Sequence, residues 1–322
     1  MNRRPILVAA GATIAGAAGV ALGVVATGRR WRAAEDPCAD SVLDLEGART
    51  FKVERPDGAV LDGVVVGPDS GPLVVLSHCW TGSRVTWEAV AARLVAEGAR
   101  VVLYDQRGHG ASTAGPEAPA VERLGEDLVA VLETVDARDA VLVGHSMGGM
   151  AVLAVAVGRP DVVAERVRAL VLVGTAAGGV AAFPFGGPTR FATGSPIVER
   201  LVAGPAGLAL VRGGVGRAPR RAHLVATRDA FLSLPSDVRL QFLTALQAMD
   251  LRAGLASITV PTTVVVGSRD ILTPPRLARA IASAVPDARL VVVPGAGHML
   301  PYEEPDQLAE LILSAIRNGG AP

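Results

Sequence analysis

The chain has 322 residues, half of them hydrophobic, with 31 basic and 31 acidic side chains. That length buries a large core and fits one α/β domain with an insertion better than two independent domains. A net charge of zero argues against a nucleic-acid partner, whose binding surface is ordinarily basic. Two cysteines, Cys38 and Cys79, with no C-x-x-C pair argue against a structural zinc site, a redox motif or a disulfide framework.

Residues 6–27 form an uncharged run of apolar and small residues, with Arg3 and Arg4 before it and Arg29, Arg30 and Arg32 after it. At about 1.5 Å per helical residue, a run of that length spans roughly 33 Å, enough to cross a bilayer. Residues 1–28 are therefore expected to be an uncleaved single-span membrane anchor. An export signal is the alternative, since Arg3-Arg4 begins, but does not complete, a twin-arginine pattern. Basic flanks on both sides leave the orientation open. Residues 29–48 are charged without an apolar period and read as a linker to a domain over 49–322.

From there, short β-branched runs alternate with longer amphipathic stretches. Strands are predicted at 64–66, 73–76, 101–104, 140–143, 170–173, 263–266 and 290–293. Helices are predicted at 86–97, ended by Gly98, at 121–135, from the Ser146 region to Gly158, and from Pro274-Pro275 onward. Runs that are apolar throughout mark strands buried on both faces, as in a mostly parallel sheet covered by helices. Residues 176–257 break the alternation with a Gly/Pro-rich stretch and helical patterns such as 238–249. They are expected to form a helical cap above the C-terminal strand ends, where open α/β sheets bind ligands.

The strand at 140–143 runs into Gly144-His145-Ser146-Met147-Gly148-Gly149, a G-x-S-x-G pattern between a strand and a helix. The turn is so tight that a Cβ at Gly144 or Gly148 would meet neighbouring backbone. It lifts the Ser146 hydroxyl clear of the sheet and aims the Met147 backbone N–H, at a helix start, towards a developing oxyanion. A serine nucleophile needs a base, and in enzymes with this turn the acid and then the histidine follow in chain order. His298, in Pro294-Gly295-Ala296-Gly297-His298 after the last predicted strand, suits the base. Asp270, after the strand at 263–266, suits the acid that orients it. Of the other histidines, His145 is expected to pack or bond locally and His78 to order its loop, while His109 lies in the loop from Asp105 and His223 in the cap.

With Ser77-His78-Cys79-Trp80-Thr81-Gly82-Ser83, the loop from Asp105 to Ser112, the elbow at Ser146, Asp270 and His298 all in order, the chain resembles the α/β-hydrolase family from about residue 50 to its end. It looks closest to bacterial serine esterases and lipases with a C-terminal Gly-x-Gly-His loop, near the cofactor-free haloperoxidase-like group. The resemblance implies Trp80 as the second oxyanion donor, through its backbone N–H, and a structural role for Asp105 and Arg107. The family usually has Gly where this chain has Cys79. The activity implied is hydrolysis of a hydrophobic carboxylic ester through an acyl-enzyme, without metal or organic cofactor, in a membrane-anchored bacterial protein. The alternatives are an acyl thioesterase of lipid or polyketide metabolism, a perhydrolase or haloperoxidase-like enzyme, and a hydrolase-derived binding protein.

Overall fold

A computed structural model describes residue 43 and residues 47–180 and 196–318. Eight strands form one sheet: β1 (Arg49–Glu54), β2 (Val60–Val66), β3 (Leu73–Ser77), β4 (Arg100–Tyr104), β5 (Ala140–His145), β6 (Val167–Val173), β7 (Thr262–Gly267) and β8 (Arg289–Val293). Their order is β1-β2-β4-β3-β5-β6-β7-β8. The pairs β1–β2 and β2–β4 are antiparallel and all the others parallel. All seven strands expected from the sequence are present. The additional one, β1, is an edge strand on which only Val53 is buried, so it lacks the continuous apolar run that marks a central strand.

The helices between β3 and β6 are α1 (Glu88–Ala96), after a 3-10 turn at Arg84–Trp87, then α2 (Val121–Thr134), α3 (Met147–Gly158) and α4 (Pro160–Arg166). Between β6 and β7 lie α5 (Pro196–Ala203), α6 (Gly207–Val211), α7 (Arg221–Ser233) and α8 (Ser236–Ala248). The last three are α9 (Pro275–Ala284), α10 (Leu300–Glu303) and α11 (Pro305–Asn318).

Alternation along the strands divides the core in two. Val74, Leu76, Val101, Leu103, Val141, Val143, Val171 and Val173 face Trp87, Val90 and Leu94 near and on α1 and Leu308 and Ile312 on α11. Val75, Val102, Leu142, Leu170, Leu172, Val264 and Val266 face Leu124 and Leu128 on α2, Val152 on α3 and Ile281 on α9. Each fully buried side chain of this kind stabilises by about 1.5–3 kcal/mol. Helix α3 is apolar on every side because it is buried on nearly every side, from Met147 to Ala156. Among the described residues no single helix is long and apolar enough to cross a membrane. The expected anchor at 6–27, Cys38 and most of the linker lie outside the described residues.

The inserted helices between β6 and β7 are pinned by a charge. Arg239 on α8 is fully buried; its guanidinium donates to the carbonyls of Phe231 (2.7 Å) and Leu234, pairs with Glu199 on α5, and lies 4.3 Å over the Phe231 ring. One side chain thereby joins α5, α7 and α8, each of them too short to be stable alone in water.

Candidate active site

Ser146 sits between β5 and α3 with φ +54° and ψ −114°, a conformation an L-residue holds only when its surroundings enforce it. The enforcement is steric. A Cβ at Gly144 would stand 2.3 Å from the Gly148 carbonyl oxygen, and a Cβ at Gly148 would stand 2.1 Å from that of Ser77. The second contact also presses the elbow onto the β3 loop that carries Trp80. The turn is tied down by Ser146 N–H donating to Val173 O (2.9 Å) and by the Thr175 hydroxyl donating to Ser146 O (2.7 Å).

The ends of β7 and β8 bring Asp270 and His298 together. His298 Nδ1–H donates to Asp270 Oδ2 at 2.8 Å, with both residues buried. Asp270 also accepts the backbone N–H groups of Leu272 (2.9 Å) and Thr273 (2.8 Å) on Oδ1 and the Thr273 hydroxyl (2.7 Å) on Oδ2. Burial pulls the Asp270 carboxyl upwards, but the adjacent His298 imidazole and these hydrogen bonds outweigh it and hold the group below its ordinary value. Thr273 Oγ1 is 3.2 Å from His298 Nδ1, so one hydroxyl touches both members of the pair. His145, directly before Ser146, donates from Nε2 to His298 O at 2.8 Å and so joins the elbow to the His298 loop. Burial, aided by the neighbouring His298 imidazole, pushes the His145 imidazole down to about 3, so it stays neutral. Among the described residues no hydrogen bond joins the Ser146 hydroxyl to His298, a contact that in unliganded sites is often long and tightens when substrate binds.

On the facing loop, His78 Nδ1–H donates to Cys79 O (2.8 Å) while its Nε2 accepts the Gln106 N–H (2.9 Å). Burial pushes His78 down to about 4, which keeps this neutral tautomer. Cys79 is not a site of positive φ; Thr81, at +61°, carries the left-handed turn instead. A side chain at position 79 therefore fits without backbone strain. Burial pushes the Cys79 thiol up to about 12, far from a nucleophilic thiolate at neutral pH. The Trp80 ring meets Phe231 of α7 edge to face, with centroids 6.3 Å apart.

The chain belongs to the alpha/beta hydrolase family.

The family's model matches residues 74–311, well over half of the chain. Among curated relatives, the protein named carbamate hydrolase RutD from Variovorax paradoxus is 30% identical over 273 residues, 80% of this chain and 96% of its own. The bifunctional esterase/perhydrolase DCH of Acinetobacter calcoaceticus is 39% identical over a shorter stretch of 83 residues, 26% of this chain and 30% of its own. Among solved structures, the enol-lactonase from Burkholderia xenovorans LB400 matches with a TM-score of 0.71 at 25% identity, covering 83% of this chain and 100% of that one.

As an alpha/beta hydrolase, the chain shows several supporting residues that its sequence motifs do not announce. Thr273, two residues before α9, and Glu303, the last residue of α10, bond to the Asp270–His298 region. Their only sequence signals are position: Thr273 three residues after Asp270, Glu303 five after His298. The expected braces are in place. Asp105 accepts the N–H groups of Arg84 (2.7 Å) and Ala111 (3.0 Å). Arg107, buried, is bidentate to Asp127 (2.5 and 2.7 Å) and pairs with Asp57 (2.6 Å).

Proposed function

We propose that this alpha/beta hydrolase cleaves a hydrophobic carboxylic ester with Ser146 as nucleophile. His298 acts as general base and then acid, and Asp270 orients and stabilises the imidazolium. The observation that carries this reading is the 2.8 Å His298–Asp270 hydrogen bond, placed beside a serine in a left-handed strand-to-helix turn. Ser146 Oγ attacks the acyl carbonyl as its proton passes to His298 Nε2. The backbone N–H groups of Met147 and Trp80 hold the oxyanion. The alcohol leaves with that proton, and water, deprotonated by His298, cleaves the acyl-enzyme.

An apolar acyl group is favoured by what surrounds the site. Cys79, Val215, Leu224 and Met299 form a small buried cluster between the inserted helices and the loops of Trp80 and His298, with Leu208 and Val211 against it. The apolar run at 6–27 supports placing the enzyme at a membrane. On this reading the full-length protein sediments with membranes and is not released by high salt.

The test is fluorophosphonate labelling together with turnover of p-nitrophenyl esters of increasing acyl length, with Ser146→Ala as the blank. The reading requires label on Ser146 and faster turnover of medium-chain esters than of the acetate. A folded wild-type protein that neither labels nor turns over any ester removes it. Thioester, carbamate and peracid-forming assays on the same preparations separate the neighbouring chemistries, since the same three residues would serve each.

A further inference from the structure

Glu303 has no part in the chemistry above, yet its carboxylate is half-buried and both of its oxygens accept hydrogen bonds. Oε2 accepts the backbone N–H of Gly216 (2.7 Å) and of Gly297 (2.9 Å), and Oε1 accepts that of Met299 (3.0 Å). Gly297 and Met299 flank His298. Gly216 belongs to the segment by which the chain leaves the inserted helices α5 and α6. The same two segments bond to each other directly: Arg217 N–H to Gly295 O and His298 N–H to Gly214 O, both at 2.8 Å.

The approach is as close as backbone permits. A Cβ on Gly216 would lie 2.3 Å from Gly295 O and 2.5 Å from Glu303 Oε2, and one on Gly297 would lie 2.5 Å from Gly216 N. Seven main-chain groups of two segments about eighty residues apart thus meet in five hydrogen bonds along one seam. Three N–H donors aimed at one carboxylate cannot be satisfied by a neutral isostere. An amide in its place turns an NH2 towards at least one of those N–H groups and leaves a buried donor unpaired.

We infer that Glu303 is a positioning residue that locks the α6–α7 connection of the helical insertion onto the loop of His298 and thereby holds the imidazole in register with Ser146. This rests on the triad reading given above. Glu303 acts through the backbone on either side of His298. Its loss leaves the substrate's apolar contacts in place but lets the base drift.

A misplacement of about 1 Å at a reacting group can cost on the order of a hundredfold in rate. Glu303→Gln is therefore expected to lower kcat on a medium-chain p-nitrophenyl ester by about ten- to a hundredfold. KM should stay within about twofold, as for an interaction realised in the transition state. Fluorophosphonate labelling of Ser146 should slow by the same factor. Glu310→Gln, which removes an exposed charge from α11, serves as the comparator and keeps wild-type kcat. Wild-type kcat in Glu303→Gln, or a lowered kcat with labelling undiminished, overturns the inference. Should Glu303→Gln not fold, Glu303→Asp decides. It keeps the charge but is one methylene too short to span both segments, so slowed labelling supports the lock and wild-type labelling refutes it. Absence of label in the wild type would instead remove the triad reading itself, so the two failures are distinguishable.

Discussion

The end of β5 and the ends of β7 and β8 hold their side chains by different means. At the end of β5, Ser146 is kept in place chiefly by what cannot fit, beside two hydrogen bonds to its backbone. Gly144 and Gly148 let backbone come within van der Waals distance of backbone, and the fully buried α3 leaves the turn no room to relax. At the ends of β7 and β8, Asp270 and His298 are kept by what must be bonded. Thr273, His145 and Glu303 supply hydrogen bonds from segments as much as 153 residues away in the chain. Steric support tolerates little, because the atoms it presses on are backbone. Hydrogen-bonded support is distributed, so single losses should weaken it by degrees.

Substitutions can break this contrast, and the largest effect is expected at the centre. Ser146→Ala should abolish ester turnover, a fall in kcat of about a millionfold when a nucleophile of this kind is removed. Rates of p-nitrophenyl butyrate hydrolysis would check it. Asp270→Asn should follow with a fall of about 10⁴, because the amide favours the wrong imidazole tautomer. Residual activity within tenfold of wild type would show that the 2.8 Å bond is structural only.

Gly148→Ala tests the steric side. Its new methyl has only backbone to displace, so a loss of about 3 kcal/mol or more in urea unfolding, or no folded protein at all, is expected. Thr273→Val tests the bonded side, since it removes one hydroxyl and keeps the shape. A loss of about 1 kcal/mol of transition-state stabilisation, several-fold in kcat/KM, is the expected scale for one shared hydrogen bond. If Thr273→Val proves worse than Gly148→Ala, the contrast is wrong.

The smallest effect is on pH dependence. The folded-state value of Asp270 lies below the unfolded one, so its ionised form contributes stability. That contribution is complete above the unfolded value and is lost as pH falls through the folded one. Acid-unfolding curves of wild type and Asp270→Asn should therefore converge below pH ~4. Curves that stay parallel would mean that the carboxylate is not favoured by its surroundings.

How far the sequence discloses this molecule follows the same division. The central strands announce themselves by unbroken apolar runs, and the elbow by six contiguous residues whose spacing is a steric requirement. Asp270 and His298 are legible because each directly follows a strand. Strand β1 is not, because only Val53 on it is buried. Thr273 and Glu303 are illegible for another reason. A hydroxyl or carboxylate near a helix start is usually a cap, and only the fold shows that these two bond to the residues around His298. Nor does the sequence reveal that Thr81, rather than residue 79, takes the left-handed turn, since that depends on how the loop settles against the elbow.

The seam between residues 214–217 and 295–298 bears on chimera design. Helical insertions on such sheets invite exchange between relatives as interchangeable substrate-selecting parts. Here the excised part would carry the Arg217 N–H and the Gly214 carbonyl, which bond directly to the His298 loop. A graft cut at the ends of β6 and β7 would bring in a foreign partner for Gly295 O and the Glu303 carboxylate. The recipient's own residues 214–217 would have to be kept, and only α5 and α6 before them or α7 and α8 after them exchanged, for a transplant to alter selectivity without disabling turnover.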